Sequence, residues 1–280
     1  MEDVYKKAAK VVKNAEALIY TSGAGMGVDS GLPDFRGDKG FWNEYPAISH
    51  LGISFSEMAN PHWFEDNPKL AWAFYGHRYN LYKNTAPHQG FQILLNLGNK
   101  KEHGYFVYTS NVDGQFQKAG FDVNFIEEVH GSINHLQCSI SCNSNIYEDK
   151  NLQIEIDKEE FEAQEPLPVC PKCGAIARPN ILMFGDWNWL SRRSVEQSER
   201  FYHYLSNFKK QNVKPVVIEI GAGKAVPTVR MKSERLASEF DTTLIRINPR
   251  DYHIPSYIKG IEIQAGALEG ITGITNNISD

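Results

Sequence analysis

Two groups of residues in this 280-residue chain have the types and spacing to do chemistry. The first is its four cysteines, Cys138, Cys142, Cys170 and Cys173, paired as Cys-x3-Cys and Cys-x2-Cys. Two such hooks returning to one point suit a tetrahedral tetrathiolate zinc site, which is closed and structural because four thiolates leave no open position. The first residues, Met1-Glu2-Asp3-Val4-Tyr5-Lys6-Lys7, carry charge and no apolar secretory core, so zinc is favoured over disulfides. The second group is a histidine, His130, an asparagine, Asn111, and an aspartate, Asp113, together with a glycine-rich run, Gly23-Ala24-Gly25-Met26-Gly27. An imidazole titrates near neutral pH and suits proton transfer. Backbone amides of a glycine turn suit a phosphate, although the run lacks the glycine at position 28 that the usual dinucleotide fingerprint needs.

The elements that must position these residues follow from the apolar pattern. Short apolar runs at 17–21, 105–109, 125–130, 216–220, 243–247 and 261–263 predict strands. Helical periodicity marks 4–16, 68–83, 87–98, 191–209 and 227–238. Strands alternating with helices imply an α/β fold with a mainly parallel sheet covered on both faces. Ligands of such folds bind at the carboxyl ends of the strands. Gly23, Asn111, Asp113, Gly221 and Asn248 lie shortly after predicted strands, and His130 ends one.

Composition sets the outer limits. Hydrophobic residues make up 41% and charged residues 22%, ordinary globular usage. A formal net charge of -5 gives no basic excess for a phosphate backbone, so nucleic acid is not the expected partner. No apolar run is long enough to span a bilayer, and the expectation is a soluble, cytoplasmic chain with no membrane partner.

The stretch from Gly23 to Gly37, ending Gly31-Leu32-Pro33-Asp34-Phe35-Arg36-Gly37, resembles the signature of the sirtuin (Sir2) family. Further elements follow in the family's order: Thr109-Ser110-Asn111-Val112-Asp113, Val129-His130-Gly131, the four cysteines, Arg178 to Asp186, Gly221-Ala222-Gly223 and Ile247-Asn248. The resemblance covers about residues 17 to 270 and implies an NAD-dependent protein lysine deacylase. NAD would be consumed as co-substrate, and nicotinamide and acyl-ADP-ribose released. It implies a Rossmann-like NAD-binding part at about 1–135 and 178–280, with a small zinc module at about 136–177. Position by position, it assigns cofactor contacts to Gly23, Ala24, Gly25, Asp34, Phe35, Arg36, Ser110, Asn111, Asp113, Gly221, Ala222, Gly223 and Asn248. His130 would be the general base, with Asn111 and Asp113 beside it. The segment 179–186, including Met183, Phe184 and Gly185, would pair with an extended acyl-lysine peptide as an added strand. Compact ends resemble bacterial members.

On the helix beginning at about Pro68, the residues Ala71, Phe74, Tyr75, Arg78, Leu81 and Tyr82 fall on one stripe. Arg78 is a charge on that apolar face, suited to snorkelling or to a core carboxylate. Tyr75-x-x-Arg78 also resembles the Tyr-x-x-Arg of sirtuins that remove succinyl and malonyl groups, where arginine forks onto the acyl carboxylate. The chain departs from the family pattern at Gly27 (usually serine), at Ser110 (usually glutamine), at Ala222-Gly223 (usually Thr-Ser) and at Asp186 (usually glutamate). Two alternatives stay open on the same residues: an NAD glycohydrolase or protein ADP-ribosyltransferase, and a catalytically silent module that binds NAD or ADP-ribose.

Overall fold

The structure is a computed structural model, described here for residues 2–34, 45, 52–149 and 151–278. Its centre is a six-stranded parallel sheet. The chain enters through helix α1 (Glu2–Asn14) and forms β1 (Ala17–Ser22). It then runs through α2 (Pro68–Asn84), α3 (Gln89–Asn99), β2 (Tyr105–Thr109) and β3 (Ile126–Glu128). Outside this sheet, β4 (Gly131–Cys138) pairs antiparallel with β5 (Ala177–Ile181). The chain returns through α4 (Arg192–Gln211), β6 (Pro215–Ile220), α5 (Thr228–Glu239), β7 (Leu244–Ile247), β8 (Gly260–Ile263) and α6 (Ala267–Thr275).

The sheet order is β8-β7-β6-β1-β2-β3, with every pairing parallel. From β1 the chain builds outward to β2 and β3, then comes back to lay β6 against the other edge of β1. The strand order therefore reverses between β1 and β6, and the crevice at their carboxyl ends is the switch point where α/β sheets receive ligands. β1, β2 and β6 are buried at every residue, which accounts for their continuous apolar sequences. One face of the sheet packs on α1, α3 and α6 through Ala8, Val12, Phe91, Leu94 and Ile271, the other on α4 and α5 through Phe201, Leu205, Val229 and Leu236.

A third core belongs to neither face. It joins Leu32, Tyr45, Phe64, Trp72, Phe74 and Tyr75 to Ile133, Leu136, Leu152, Phe161 and Met183. The excursions after β1 and after β3 thus fold together as one lobe, and that core extends well beyond the segment 136–177. α2 is its axis: Asn67 caps it by accepting from the Leu70 amide at 3.1 Å, and Pro68 occupies its first turn. Seven consecutive residues, Leu70 to Gly76, are buried, so this helix is enclosed on most sides and its apolar stripe was only part of its contact surface.

Candidate active site

Two glycine turns meet at the switch point. Gly23 donates its amide to Ile220 O at 3.1 Å, and Gly25 donates to Gly221 O at 3.0 Å. A Cβ on Gly25 would stand 2.7 Å from the Gly221 Cα, and one on Gly23 would stand 2.9 Å from the Ala222 Cα. The glycines are required here because two backbones touch, and the turn of β1 is fixed against the turn of β6.

Behind these turns lies a buried charge network. Glu219 and Arg246 are register partners on β6 and β7. Arg246 donates Nε to Glu219 Oε1 at 2.6 Å and Nη2 to Oε2 at 2.9 Å, and also reaches Glu234 at 2.8 Å. Arg230 donates to the carbonyls of Asp251 at 2.7 Å and His253 at 3.1 Å. Asn248, at the end of β7, donates to Ala222 O at 2.9 Å and accepts from the amides of Arg250 and Asp251. Asn248 is fully buried and does not line the cavity; it shapes the loops that do.

The cavity above the turns holds about 750 Å³, in the range of small-molecule sites. It brings together most of the residues singled out from the sequence: Gly23, Ala24, Asp34, Ser110, Asn111, Asp113, His130, Gly221, Ala222 and Gly223, with Tyr75, Arg78, Met183 and Phe184. Gly25 lies behind it, packed on Gly221, and Gly185 sits in a turn beside Asn60. Phe35 and Arg36 lie outside the described residues. Asp34 accepts from Arg250 at 3.1 Å across the rim. Sequence reading did not single out Phe55, Val226 or Asp251, which also line the cavity. Val226 and Asp251 lie on loops that carry no local periodicity; Phe55 opens a four-residue helix whose Ser54–Glu57 capping box was the one local signal available.

Each polar group has a defined anchor. Asn111 donates Nδ2 to Gly23 O at 3.0 Å, while its amide is held by Thr109 Oγ1 at 3.0 Å. Asp113 accepts the Gln115 amide at 2.9 Å, capping the short turn that follows. Burial, and then the charge of Glu128, push its carboxyl up to about 6, against the Gln115 hydrogen bond and the charge of Arg78. His130 follows β3, with Nε2 3.5 Å from Thr228 Oγ1. Burial lowers its pKa below the ordinary imidazole value, partly opposed by a hydrogen bond to the Ser110 backbone, so the neutral, proton-accepting form dominates at pH 7.

The start of α4 holds the approach to this histidine. Glu128, two residues earlier, donates its amide to Gln197 Oε1 at 3.0 Å, while its carbonyl accepts from Ser194 Oγ at 3.0 Å and its carboxylate accepts from Arg193. Immediately after the histidine, Gly131 has a left-handed φ of 81°, and a Cβ there would stand 2.1 Å from Asn180 O.

Arg78 is buried at the inner end of the cavity. It donates Nε and Nη2 to Tyr82 Oη at 3.1 and 2.9 Å, and its guanidinium carbon lies 5.4 to 5.9 Å from the rings of Phe55, Phe74, Tyr75 and Tyr82. An aromatic cage of this kind orients a guanidinium.

Cys138 ends β4, while Cys170 and Cys173 sit on a knuckle closed by Cys170 N to Ala175 O at 2.7 Å and Gly174 N to Cys170 O at 2.9 Å. All four Sγ atoms lie within 4.8 Å of one another, with Cys138–Cys173 at 3.6 Å and Cys142–Cys170 at 3.7 Å, and none is in a disulfide. Thiolates in a tetrahedron around zinc, at about 2.3 Å each, stand about 3.8 Å apart. The cluster fits that ion and stands apart from the cavity residues, so its role is to hold the lobe.

The Sir2 family pattern matches residues 23–215. The chain belongs to the Sir2 family. It is 33% identical over 182 residues to an NAD-dependent protein deacylase of Pyrococcus abyssi, covering 64% of this chain and 65% of that relative. To the NAD-dependent protein deacylase of Thermococcus kodakarensis it is 34% identical over 194 residues, covering 68% and 67%. The alignments thus span about two thirds of these two archaeal relatives; with an NAD-dependent protein deacylase of Aquifex aeolicus also matching at 32% identity over 173 residues, the range is mixed archaeal and bacterial, not the bacterial set that the compact ends suggested. Among solved structures, a Sir2 homologue mutant complexed with 2′-O-acetyl ADP ribose superposes with a TM-score of 0.70 at 25% identity, covering 98% of both chains. A Sir2 homolog–NAD complex has the same fold, with a TM-score of 0.70 at 24% identity, covering 98% of this chain and 94% of that one.

Proposed function

We propose that this sirtuin is an NAD-dependent protein lysine deacylase that releases nicotinamide and O-acyl-ADP-ribose. The observation carrying this reading is the convergence of Asn111, Asp113 and His130 on one cavity at the switch point, opposite Arg78 and beside the open segment 182–184. The dinucleotide would lie over the Gly23 and Gly221 turns, whose backbone amides suit its phosphates. Asn111 and Asp113 would hold the nicotinamide ribose and carboxamide. Once the acyl oxygen has attacked the anomeric carbon and nicotinamide has left, His130 takes a proton from a ribose hydroxyl. Its lowered pKa keeps it ready to do so at neutral pH.

The acyl-lysine peptide would add as a strand beside the segment 179–186, of which residues 179–181 already pair with β4. Arg78 and Tyr75 make an acidic acyl group, succinyl or malonyl, the preferred cargo. A buried guanidinium facing the cavity is best matched by a carboxylate. The cysteine cluster holds structural zinc. The same reading places the chain in the cytoplasm, and no described helix is long and apolar enough to cross a membrane.

Nicotinamide release from NAD, measured with and without acetyl-, succinyl- and malonyl-lysine peptides, tests the reading. Release that needs an acyl peptide, yields O-acyl-ADP-ribose and disappears in His130→Ala is expected. Release that ignores peptides would replace it with NAD hydrolysis or ADP-ribosyl transfer. Binding of NAD with no release would leave a silent module.

A further inference from the structure

Trp187 is the most exposed large apolar side chain among the described residues, at 97%. It does not sit on a loose loop. Asp186, just before it, is locked to Arg178 by two bonds of 2.8 Å, and both side chains are fully buried. Asn188, just after it, gives its amide to Asp186 at 3.2 Å, and its carbonyl accepts from Gln137 at 2.8 Å and Ser141 at 3.0 Å. Leu190 is held by Gln137 and Asn180 at 3.0 and 2.9 Å. A tip fixed on both sides presents its indole in one place, and little conformational entropy is lost when a ligand covers it. Tryptophan held in this way is the side chain most often found to dominate a contact.

The tip follows the cavity wall in the chain, with Trp187 three residues after Phe184. Leu182 and Phe184 line the cavity, and both remain exposed at its mouth. We propose that Leu182, Phe184 and Trp187 form a ledge that receives an apolar side chain of the substrate peptide, flanking the acyl-lysine, and so sets a sequence preference. The inference rests on the deacylase reading. The occupant is apolar because the only charge between residues 182 and 190 is Asp186, which is buried and paired. It is a peptide because three side chains fall far short of the roughly 20–30 residues per side that a stable protein interface uses.

The test is nicotinamide release with acyl-peptides in which Phe, Leu, Ser or Glu is placed in turn at each position flanking the acyl-lysine. The wild-type protein should favour Phe or Leu at one flanking position through a lower peptide KM. Trp187→Ala should erase that preference, raising KM for the favoured peptide about tenfold while kcat and the KM for NAD hold; Trp187→Phe should keep part of it. Sizing of both proteins accompanies the kinetics. A variant with the wild-type preference overturns the ledge alone. A wild-type dimer that falls to monomer in Trp187→Ala also overturns it, by making the ledge a self-contact. A wild-type protein that shows no acyl-peptide-dependent release sinks the ledge and the deacylase reading together.

Discussion

Arg246 and Glu219 face each other as register partners on adjacent parallel strands and close a fully buried, two-pronged ion pair behind the glycine turns. A pair in this position fixes the spacing of β6 and β7, and through Arg230 and the carbonyl of His253 it also fixes the loop after β7. Removing Arg246 leaves the buried Glu219 carboxylate with only the longer contact to Arg230, at 3.8 Å, to offset it, and breaking a buried pair in this way costs up to about 3–5 kcal/mol. Arg246→Met should therefore lower stability by that amount in urea unfolding. It should also weaken NAD binding, because Asp251 on the same loop lines the cavity. A loss under about 1 kcal/mol would mean that the network is spectator charge.

That network also marks where the sequence stopped being legible. The strands could be read because each is a short apolar run, and Glu219 and Arg246 were visible as charges inside two such runs. Nothing local says that they meet, because parallel register is set by strand order. The glycine turns, His130 and the cysteine pairs were legible from residue type and spacing. The shared core of the lobe was not: Trp72 and Phe161 lie 89 positions apart in the chain, yet belong to one cluster. Of the cage around Arg78, Phe74, Tyr75 and Tyr82 were visible on its own helix stripe, and Phe55, from a separate element, was hidden for the same reason.

Asp113 gives the site a pH signature. Its folded pKa of about 6 is raised from the ordinary 3.8. A raised acid stabilises the fold below its unfolded pKa, and that contribution is lost as pH rises through the folded value. At pH 8 the ligand-free protein carries this carboxylate at a cost of up to about 3 kcal/mol. Asp113→Asn should be more stable than wild type at pH 8, with the gain shrinking as pH falls toward 5, read by denaturant midpoints across pH. In the wild type, kcat/KM should fall on the acid side near pH 6, where the carboxylate that holds the cofactor becomes protonated.

Arg78 should divide acyl groups by charge. Arg78→Met keeps the volume and removes the fork. Succinyl- and malonyl-peptide turnover should drop about a hundredfold or more, since a buried carboxylate loses its guanidinium partner. Acetyl-peptide turnover should change only a few-fold. Equal losses for all three groups, in a panel of kcat/KM values, would return Arg78 to a packing role within its aromatic cage.

The cysteine cluster should bind one zinc per chain by native mass spectrometry. A strong chelator or Cys170→Ser should cost several kcal/mol of stability, because zinc binding contributes to folding when the site forms only in the folded state. Added zinc should restore the chelated protein and leave Cys170→Ser unrescued. An unchanged melting temperature after metal removal would show that the lobe holds itself together through its apolar core alone.

Gly131 and Gly104 separate strain from contact at the histidine. Both have left-handed backbones, with φ of 81° and 67°. A Cβ on Gly104 meets nothing within 4 Å, whereas one on Gly131 would lie 2.1 Å from Asn180 O. The conformational penalty for a side chain in this region is about 1–2 kcal/mol and is common to both positions. Gly104→Ala should lose only that and keep its activity. Gly131→Ala must also push β5 away from the residue that follows His130, so it should lose at least a further 2 kcal/mol or so and most of its acyl-peptide-dependent nicotinamide release. Paired unfolding curves and release assays make the comparison. Equal losses in the two variants would mean that β5 yields freely, and that the backbone of His130 is not held by this contact.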